Sequence, residues 1–507
     1  MKKIFFGLIV IALFFSGCKK VITETPYSFL TPQNFPTSAV EADAALNGCY
    51  TNLRGDFGSE VWDYVGGLWM SVQNDVAYCP VKWGYFVNSR NNSEETFWND
   101  YWKGINSANN LIAALEARDV NKDPWVTPKL AEAKAFRAYL YNFLACLFGD
   151  LPLRLKPTTE TVLMMPRSPA QAIYDSIILP DLAFADGKLP SPNSSPGRIS
   201  QGALKCIEAD VYMKLAGWRR SSQGDMVPGN PKYWPMARDA AKAVLDMEAA
   251  GVYALEPKYS DVFTKLSEDQ LTNEVIFDLE FTDLAGSNFP YVFGTYPSGP
   301  DQGGGNGNLR PIPEWLRTQD PRDERWKWNI ADYHYDGWAK VPFPAGDTAD
   351  WRISTWQKIY PSTGYWQDHL TNWPFYRLSE AKLMYAEAAN EAEGGPSSEA
   401  YRQINGIRYR ARPVAHKTDG TILPDLAALT QDQFRKAVWN ERAMEFINEG
   451  KRYLDLRRWG VLKEKIEQME LYKPFLQSVG GFNMRFYLWN MPYSDLISQG
   501  WANNAGY

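Results

Sequence analysis

The chain has 507 residues, 45% hydrophobic and 22% charged, with 53 basic against 59 acidic side chains and a formal net charge of −6. That length is ample for a buried core and suggests two to three domains. The negative balance and the lack of a basic stretch exclude nucleic acid as a partner. Three histidines (His334, His369, His416), with no HExxH and no zinc-type spacing, leave no metal or cofactor to expect.

The first element is a targeting segment. Lys2 and Lys3 precede an apolar run from Ile4 to Phe15. The run is shorter than the about 20 residues needed to span a bilayer and suits the core of a signal peptide. Phe15-Ser16-Gly17-Cys18 resembles a bacterial lipobox, with Phe15 where Leu is usual. Residues 1–17 are expected to be removed and Cys18 to carry lipid, each buried CH₂ contributing roughly 0.8 kcal/mol of anchoring. Plain secretion is the alternative. Lys19 and Lys20 replace the aspartate that retains such proteins in the inner membrane, which points to the outer one. The cell-surface face is the expectation, although only Glu24 lies near Cys18 where an acidic run often accompanies export to the surface. Cys49, Cys79, Cys146 and Cys206 form no CxxC, and an envelope location permits disulfides. Cys146 and Cys206 sit in apolar helical runs, which predicts buried free thiols.

Helical spacing of apolar residues then recurs. It predicts helices over 42–53, 107–117, 128–150 (ended by Gly149), 169–190 (interrupted at Pro180), 200–218 and 233–247. Short loops between them favour antiparallel neighbours. Ala131, Ala135 and Ala138 would allow close approach, as in stacked two-helix repeats, although no strict 34-residue period shows. Val275, Phe277, Leu279 and Phe281 alternate, which predicts a strand within 273–281. A Gly/Pro/aromatic-rich middle follows, about 285 to 375, with GPDQGGGNGN (299–308) a loop. Helices resume at 377–395, 397–412 and 430–460.

Three constellations bear on chemistry. Glu441, Glu445 and Glu449 share a helix face. Paired carboxylates are the signature of a glycosidase, but Arg442, Lys451, Arg452, Arg457 and Arg458 interleave with them, and ion-paired packing is the plainer account. Glu132, Arg137 and Asp150 likewise read as scaffold. The third constellation is aromatic. Of 20 tryptophans, eight fall between residues 315 and 373. Sugar rings offer apolar C–H faces rimmed by hydroxyls, which a flat Trp or Tyr covers while Asn, Asp or Arg satisfies the rim. Trp98, Trp102, Trp218, Trp439 and Trp459 lie on predicted helices and are expected in the core. DERWKWNIADYHYDGW (323–338) and NDVAYCPVKWGYF (74–86) read as loops. Within and near them Trp83, Tyr85, Tyr296, Trp326, Trp328 and Trp338 are candidate ring platforms, with Asn74, Asp75 and Arg325 as polar partners.

Several segments in order carry a family likeness. They are FWNDYWKGINSANNLI (97–112), EAKAFRAYLYNFLACLFGDLPL (132–153), GRISQGALKCIEADVYMKLAGW (197–218), YRLSEAKLMYAEAANEAEG (376–394), INGIRYRAR (404–412), NERAMEFINEGKRYLDLRRWG (440–460) and NNAGY (503–507). With them the chain resembles the SusD/RagB family of outer-membrane nutrient-binding lipoproteins over nearly its whole length. Phe446–Gly450 and Asn504-Ala505-Gly506 depart slightly from the usual runs. The resemblance implies a mainly α fold, with TPR-like helix pairs in a right-handed superhelical scaffold and a loop-rich part with a few short strands or hairpins. It divides the chain into a leader (1–17), an N-terminal helical region (18–260), an aromatic ligand-binding insertion (261–375) and a C-terminal helical region (376–507). It further implies non-catalytic capture of an oligosaccharide, held by lipid at the outer membrane and delivered to a SusC-like TonB-dependent transporter. In this family the ligand residues lie in variable loops, so no motif fixes them. Oligopeptide capture, a lipid-anchored glycoside hydrolase and a bracing scaffold without ligand are the rival readings.

Overall fold

The computed structural model describes residues 35–54, 73–79, 93–158, 164–191, 197–220, 225–281, 286–287, 289–290, 297–298, 307, 309–336, 339–344, 348–356 and 370–507. Helices dominate. Those that frame the core and the site are α1 (Ala39–Thr51), α2 (Ser93–Glu116), α3 (Val126–Phe148), α4 (three joined pieces, Ala170–Ile173, Tyr174–Ile178 and Leu179–Ala185), α5 (Gln201–Ala216), α6 (Tyr233–Ala249), α7 (Tyr259–Ser267), α8 (Glu324–Asn329), α9 (Leu378–Glu393), α10 (Ser398–Ala411), α11 (Gln431–Glu445) and α12 (Arg452–Arg458). Among the described residues no helix is long and apolar enough to cross a membrane.

The helices pair antiparallel. Trp98 near the start of α2 packs edge-on against Phe148 at the end of α3, and Lys134 in α3 reaches Glu116 at the end of α2. The pair is close because Gly104 has no side chain: a Cβ there would lie 2.8 Å from Leu140 Cδ1. Ala131, Ala135 and Ala138 are fully buried on the same helix. Tyr212 of α5 stacks on Tyr233 of α6 at 6.0 Å, end against start. Helix α6 lies antiparallel to α9, with Arg238 on Glu393 and Glu248 on Lys382. Helix α11 in turn runs against α9, its first turns at Glu391 through Arg435 and its last at Glu380 through Arg442.

Local chemistry sets the ends. Gly149 closes α3 at φ +77°, a conformation that costs glycine nothing. Ser38, Ser200, Ser397 and Thr430 cap α1, α5, α10 and α11 through their hydroxyls. Two elements differ from expectation. Pro180 does not interrupt its helix. A π-turn over Tyr174–Ile178 precedes it, and the proline sits in the first turn of the next piece, where its missing N–H is not needed. The predicted helix over 430–460 is two helices, parted at 446–451, where Asn448 (φ +61°) and Gly450 (φ +72°) turn left-handed.

The strands are short. The predicted strand is Val275–Leu279, paired antiparallel with Trp373–Arg377. Two further pairings frame the aromatic region. Ala77–Tyr78 pairs with Arg310–Pro311, and Ile330–Ala331 pairs with Arg352–Ile353, both antiparallel. One buried apolar cluster runs from Leu46 to Met491 and includes residues of every helical region.

Cys49 and Cys206 are buried free thiols and Cys79 is buried, whereas Cys146 is only half-buried, because it lies on the face of α3 that opens toward a cleft. Trp98 and Trp459 are core, and Trp102 and Trp439 are partly buried against it. Trp218 departs from expectation at 43% exposure, because α5 ends at Ala216 and leaves it beyond the helix.

Candidate functional site

Helix α8 and the two small strand pairs carry the aromatic face. Asp323 caps α8 by accepting from the Arg325 N–H at 2.8 Å. Ser354 N–H donates to the Asn329 carbonyl at 2.7 Å and Ile353 N–H to the Leu309 carbonyl at 2.9 Å, which fastens the helix to the strands. DERWKWN is therefore a short helix rather than a loop. Six residues are too few to show a period.

One side of α8 faces inward. Arg325 is 1% exposed and donates to Asp323, Glu441 and Glu445. Its guanidinium is committed to the scaffold instead of facing a ligand. The same centre holds Arg377, on Glu274 at 2.6 Å and Glu449 at 2.7 Å, and Arg410, on Glu274 at 2.7 Å and on Glu445. The triad Glu441, Glu445 and Glu449 is thus ion-paired packing. Burial pushes the Glu445 carboxyl up, but Arg410, Arg377 and Arg325 together outweigh it and hold the group at about 2.

The other side of α8 is half-exposed. Trp326 and Trp351 meet edge to face, with ring centroids 5.8 Å apart. Trp328 lies closer to the core and donates its indole N–H to the Thr355 carbonyl at 3.1 Å. Polar groups flank Trp351. Asp350 is 3.6 Å from both Arg310 and Arg352, and Arg310 also donates to the Ala349 carbonyl at 2.7 Å. Burial and the neighbouring Arg310 push the Arg352 guanidinium below its usual range. This is an apolar ring corner bordered by donors and one acceptor.

The other candidates divide as follows. Asn74 is buried and turns the chain by accepting from the Val76 and Ala77 N–H groups at 2.8 and 3.0 Å. Asp75 is buried and holds Arg452 in a bidentate pair at 2.7 and 2.9 Å. Both brace the strand Ala77–Tyr78 beneath the face. Trp83, Tyr85, Tyr296, Trp338 and Cys18 lie outside the described residues. The structure thus brings Trp326, Trp328 and Arg325 onto one helix, with Trp326 outward, Trp328 packed toward the core and the arginine inward. Sequence reasoning missed Trp351, Arg310 and Asp350. The density of tryptophans around Trp351 was the available signal. The buried Glu132 and Arg137 and the half-buried Asp150 are scaffold: Glu132 takes Tyr50 and Arg198, Arg137 grips Asp181 at 2.7 and 2.9 Å, and Asp150 accepts from the Ala170 N–H.

Comparison with known proteins agrees with this architecture. The model of the SusD family matches residues 348–493, and that described as starch-binding associating with outer membrane matches residues 69–206. The chain belongs to the SusD/RagB family. It is 24% identical to SusD-like protein P25 of Formosa agariphila over 520 residues, 91% of each chain. Among solved structures it is similar to a SusD homolog from Bacteroides thetaiotaomicron, at 21% identity and a TM-score of 0.75 over 94% of this chain and 98% of that one. It is also similar to a laminarin-binding SusD-like protein, at 21% identity and a TM-score of 0.67 over 93% of this chain and 100% of that one.

Proposed function

We propose that the protein binds a glycan without chemical change at the outer membrane and passes it to a TonB-dependent transporter barrel, with the Trp326–Trp351 corner as part of its ring-binding surface. The carrying observation is that half-exposed indole pair bordered by Arg310, Asp350 and Arg352. Flat apolar rings with polar groups at their edge match the two-sided character of a sugar. The laminarin-binding neighbour and the starch-binding family description support a saccharide as the ligand class. Lipid on Cys18 supplies the membrane attachment in this reading. Trp83, Tyr85, Tyr296 and Trp338 are candidates to extend the surface, with Trp328 at its inner edge.

Calorimetry of the soluble chain from Lys19 against a panel of neutral glycans and peptides tests this. One polysaccharide class is expected to bind, and Trp326→Ala or Trp351→Ala to weaken it tenfold or more, about 1.4 kcal/mol. Glycan binding unchanged in both variants would remove the site from this corner. Binding of peptides alone would remove the glycan.

A further inference from the structure

A second concave site lies away from the aromatic corner. A cleft of about 530 Å³ opens between the end of α3, the start of α4, the stretch after α5 and the last residues of the chain. Its volume suits a small ligand of a few rings. Arg167, Gln171, Trp218, Arg219 and Arg457 stand in its wall.

The arginines here differ from those elsewhere in the protein. Arg325, Arg377 and Arg410 are each matched to carboxylates. Around the cleft three of the guanidiniums rest on neutral groups. Arg167 donates to the Asp150 and Ala502 carbonyls, both at 2.9 Å, and to Asn504 Oδ1 at 2.6 Å. Arg219 donates to the Gln171 amide oxygen at 2.5 Å, and Arg457 to the Cys146 carbonyl at 2.5 Å. Among the described residues none of these three forms an ion pair with a carboxylate. Arg219 Nε and Arg457 Nη1 are buried with no hydrogen-bond partner among those residues. Of the other cations in the wall, Lys214 and Arg458 are already neutralised by Asp210, at 2.6 Å, and by Asp455 and Glu387, and Arg220 donates to the Met484 and Ala505 carbonyls. Burial and the nearby Arg457 push the Arg220 guanidinium down. Buried donors without partners cost free energy, and a guanidinium's fixed fork suits a carboxylate or a sulfate.

Beside these cations stands the exposed indole of Trp218. Its N–H backbone group donates to the Arg458 carbonyl at 2.6 Å, and its ring lies over Gly460, where a Cβ would be 2.7 Å away. A rigid apolar ring next to unmatched guanidiniums is a surface for a ligand with one apolar face and one oxyanion.

We infer that this cleft binds an acidic saccharide, a sugar unit bearing a carboxylate or sulfate, with Arg219 and Arg457 taking the oxyanion and Trp218 covering the ring. The saccharide part rests on the glycan reading above; the oxyanion part stands on the arginines alone.

The test is calorimetry of the soluble chain from Lys19 with oligogalacturonates, sulfated galactose oligomers and neutral galactose oligomers of equal length, at low and high salt. Either acidic series is expected to bind at least tenfold more tightly than the neutral one, with affinity falling as salt rises. Arg219→Gln and Trp218→Ala are expected to lose tenfold or more of that affinity, Arg219→Lys less, with unchanged unfolding midpoints and unchanged binding of neutral glycan at the aromatic corner. Acidic sugars that bind no better than neutral ones would overturn the proposal. So would acidic-sugar binding that survives Arg219→Gln but fails in Trp326→Ala, since the ligand would then sit at the other site. Binding of acidic peptides alone, sensitive to Arg219→Gln, would overturn the saccharide assignment. Loss of neutral-glycan binding in Trp326→Ala is read separately and reports on the first site.

Discussion

Glu445 shows how a buried charge is kept. Its carboxylate lies among Arg325, Arg377 and Arg410, with no exposure to solvent. Removing one partner of such a group leaves the others buried and unmatched, which typically costs about 3–5 kcal/mol. Glu445→Gln is therefore expected to destabilise the fold by that amount at pH 7, measured by urea unfolding. The pH dependence has a definite sign. The folded-state value lies below the ordinary 4.5, so the stabilisation is complete above about 4.5 and is lost as pH falls toward 2. The gap between wild type and variant should narrow over that window, and a gap constant down to pH 2 would contradict the assignment. The glutamate spacing and its interleaved basic residues made ion pairing legible in the sequence. The partners were not legible: Arg377 comes from the end of a strand, Arg410 from another helix and Arg325 from an aromatic stretch. Arg325 therefore read as a ligand contact, because composition around a residue does not say which side of a short helix it faces.

Helices were the most legible elements, since 3.6-residue spacing and capping residues both mark them. Helix α11 is an instance. Thr430 Oγ1 accepts from the Gln433 N–H while the Gln433 side chain accepts from the Thr430 N–H, a reciprocal capping box. Thr430→Ala is expected to cost about 1 kcal/mol and to speed hydrogen exchange in the first turn of α11. Exchange near Glu445, at the far end, should change only as much as global stability does. What the spacing hid were the departures from a regular helix. The apolar pattern runs straight through the left-handed turn at Asn448 and Gly450, and through the π-turn that accommodates Pro180. Helix α8 is shorter than two turns. The ring corner formed by Trp326 and Trp351 joins residues 25 positions apart through a strand pairing, Arg352 opposite Ala331, that no local pattern encodes.

At the scale of the whole molecule, the first described helix and the last residues are tied into the middle. The apolar cluster is continuous from Leu46 to Met491. The charged centre joins α8, α10, α11 and the strand Trp373–Arg377 through ion pairs. The last residues close the cleft: Asn504 Nδ2 donates to the carbonyls of Phe148 and Trp489 at 2.9 and 2.7 Å, and its Oδ1 accepts from Arg167. Gly506, at φ +103°, passes so near Arg485 that a Cβ would lie 2.7 Å from its backbone nitrogen. A chain of this length would ordinarily unfold region by region. Here no described region can leave without exposing part of the common core and stranding buried charges of another. Scanning calorimetry of the soluble chain is therefore expected to give one transition, with van't Hoff and calorimetric enthalpies in agreement. Asn504→Ala removes the Asn504 donor from the buried Trp489 carbonyl and leaves the Phe148 carbonyl only Arg167 at 3.5 Å, a loss of about 1–3 kcal/mol, and should lower the midpoint while keeping a single transition. Two resolved transitions, with Asn504→Ala shifting only one of them, would mean that the regions before and after the aromatic segment fold as separate units.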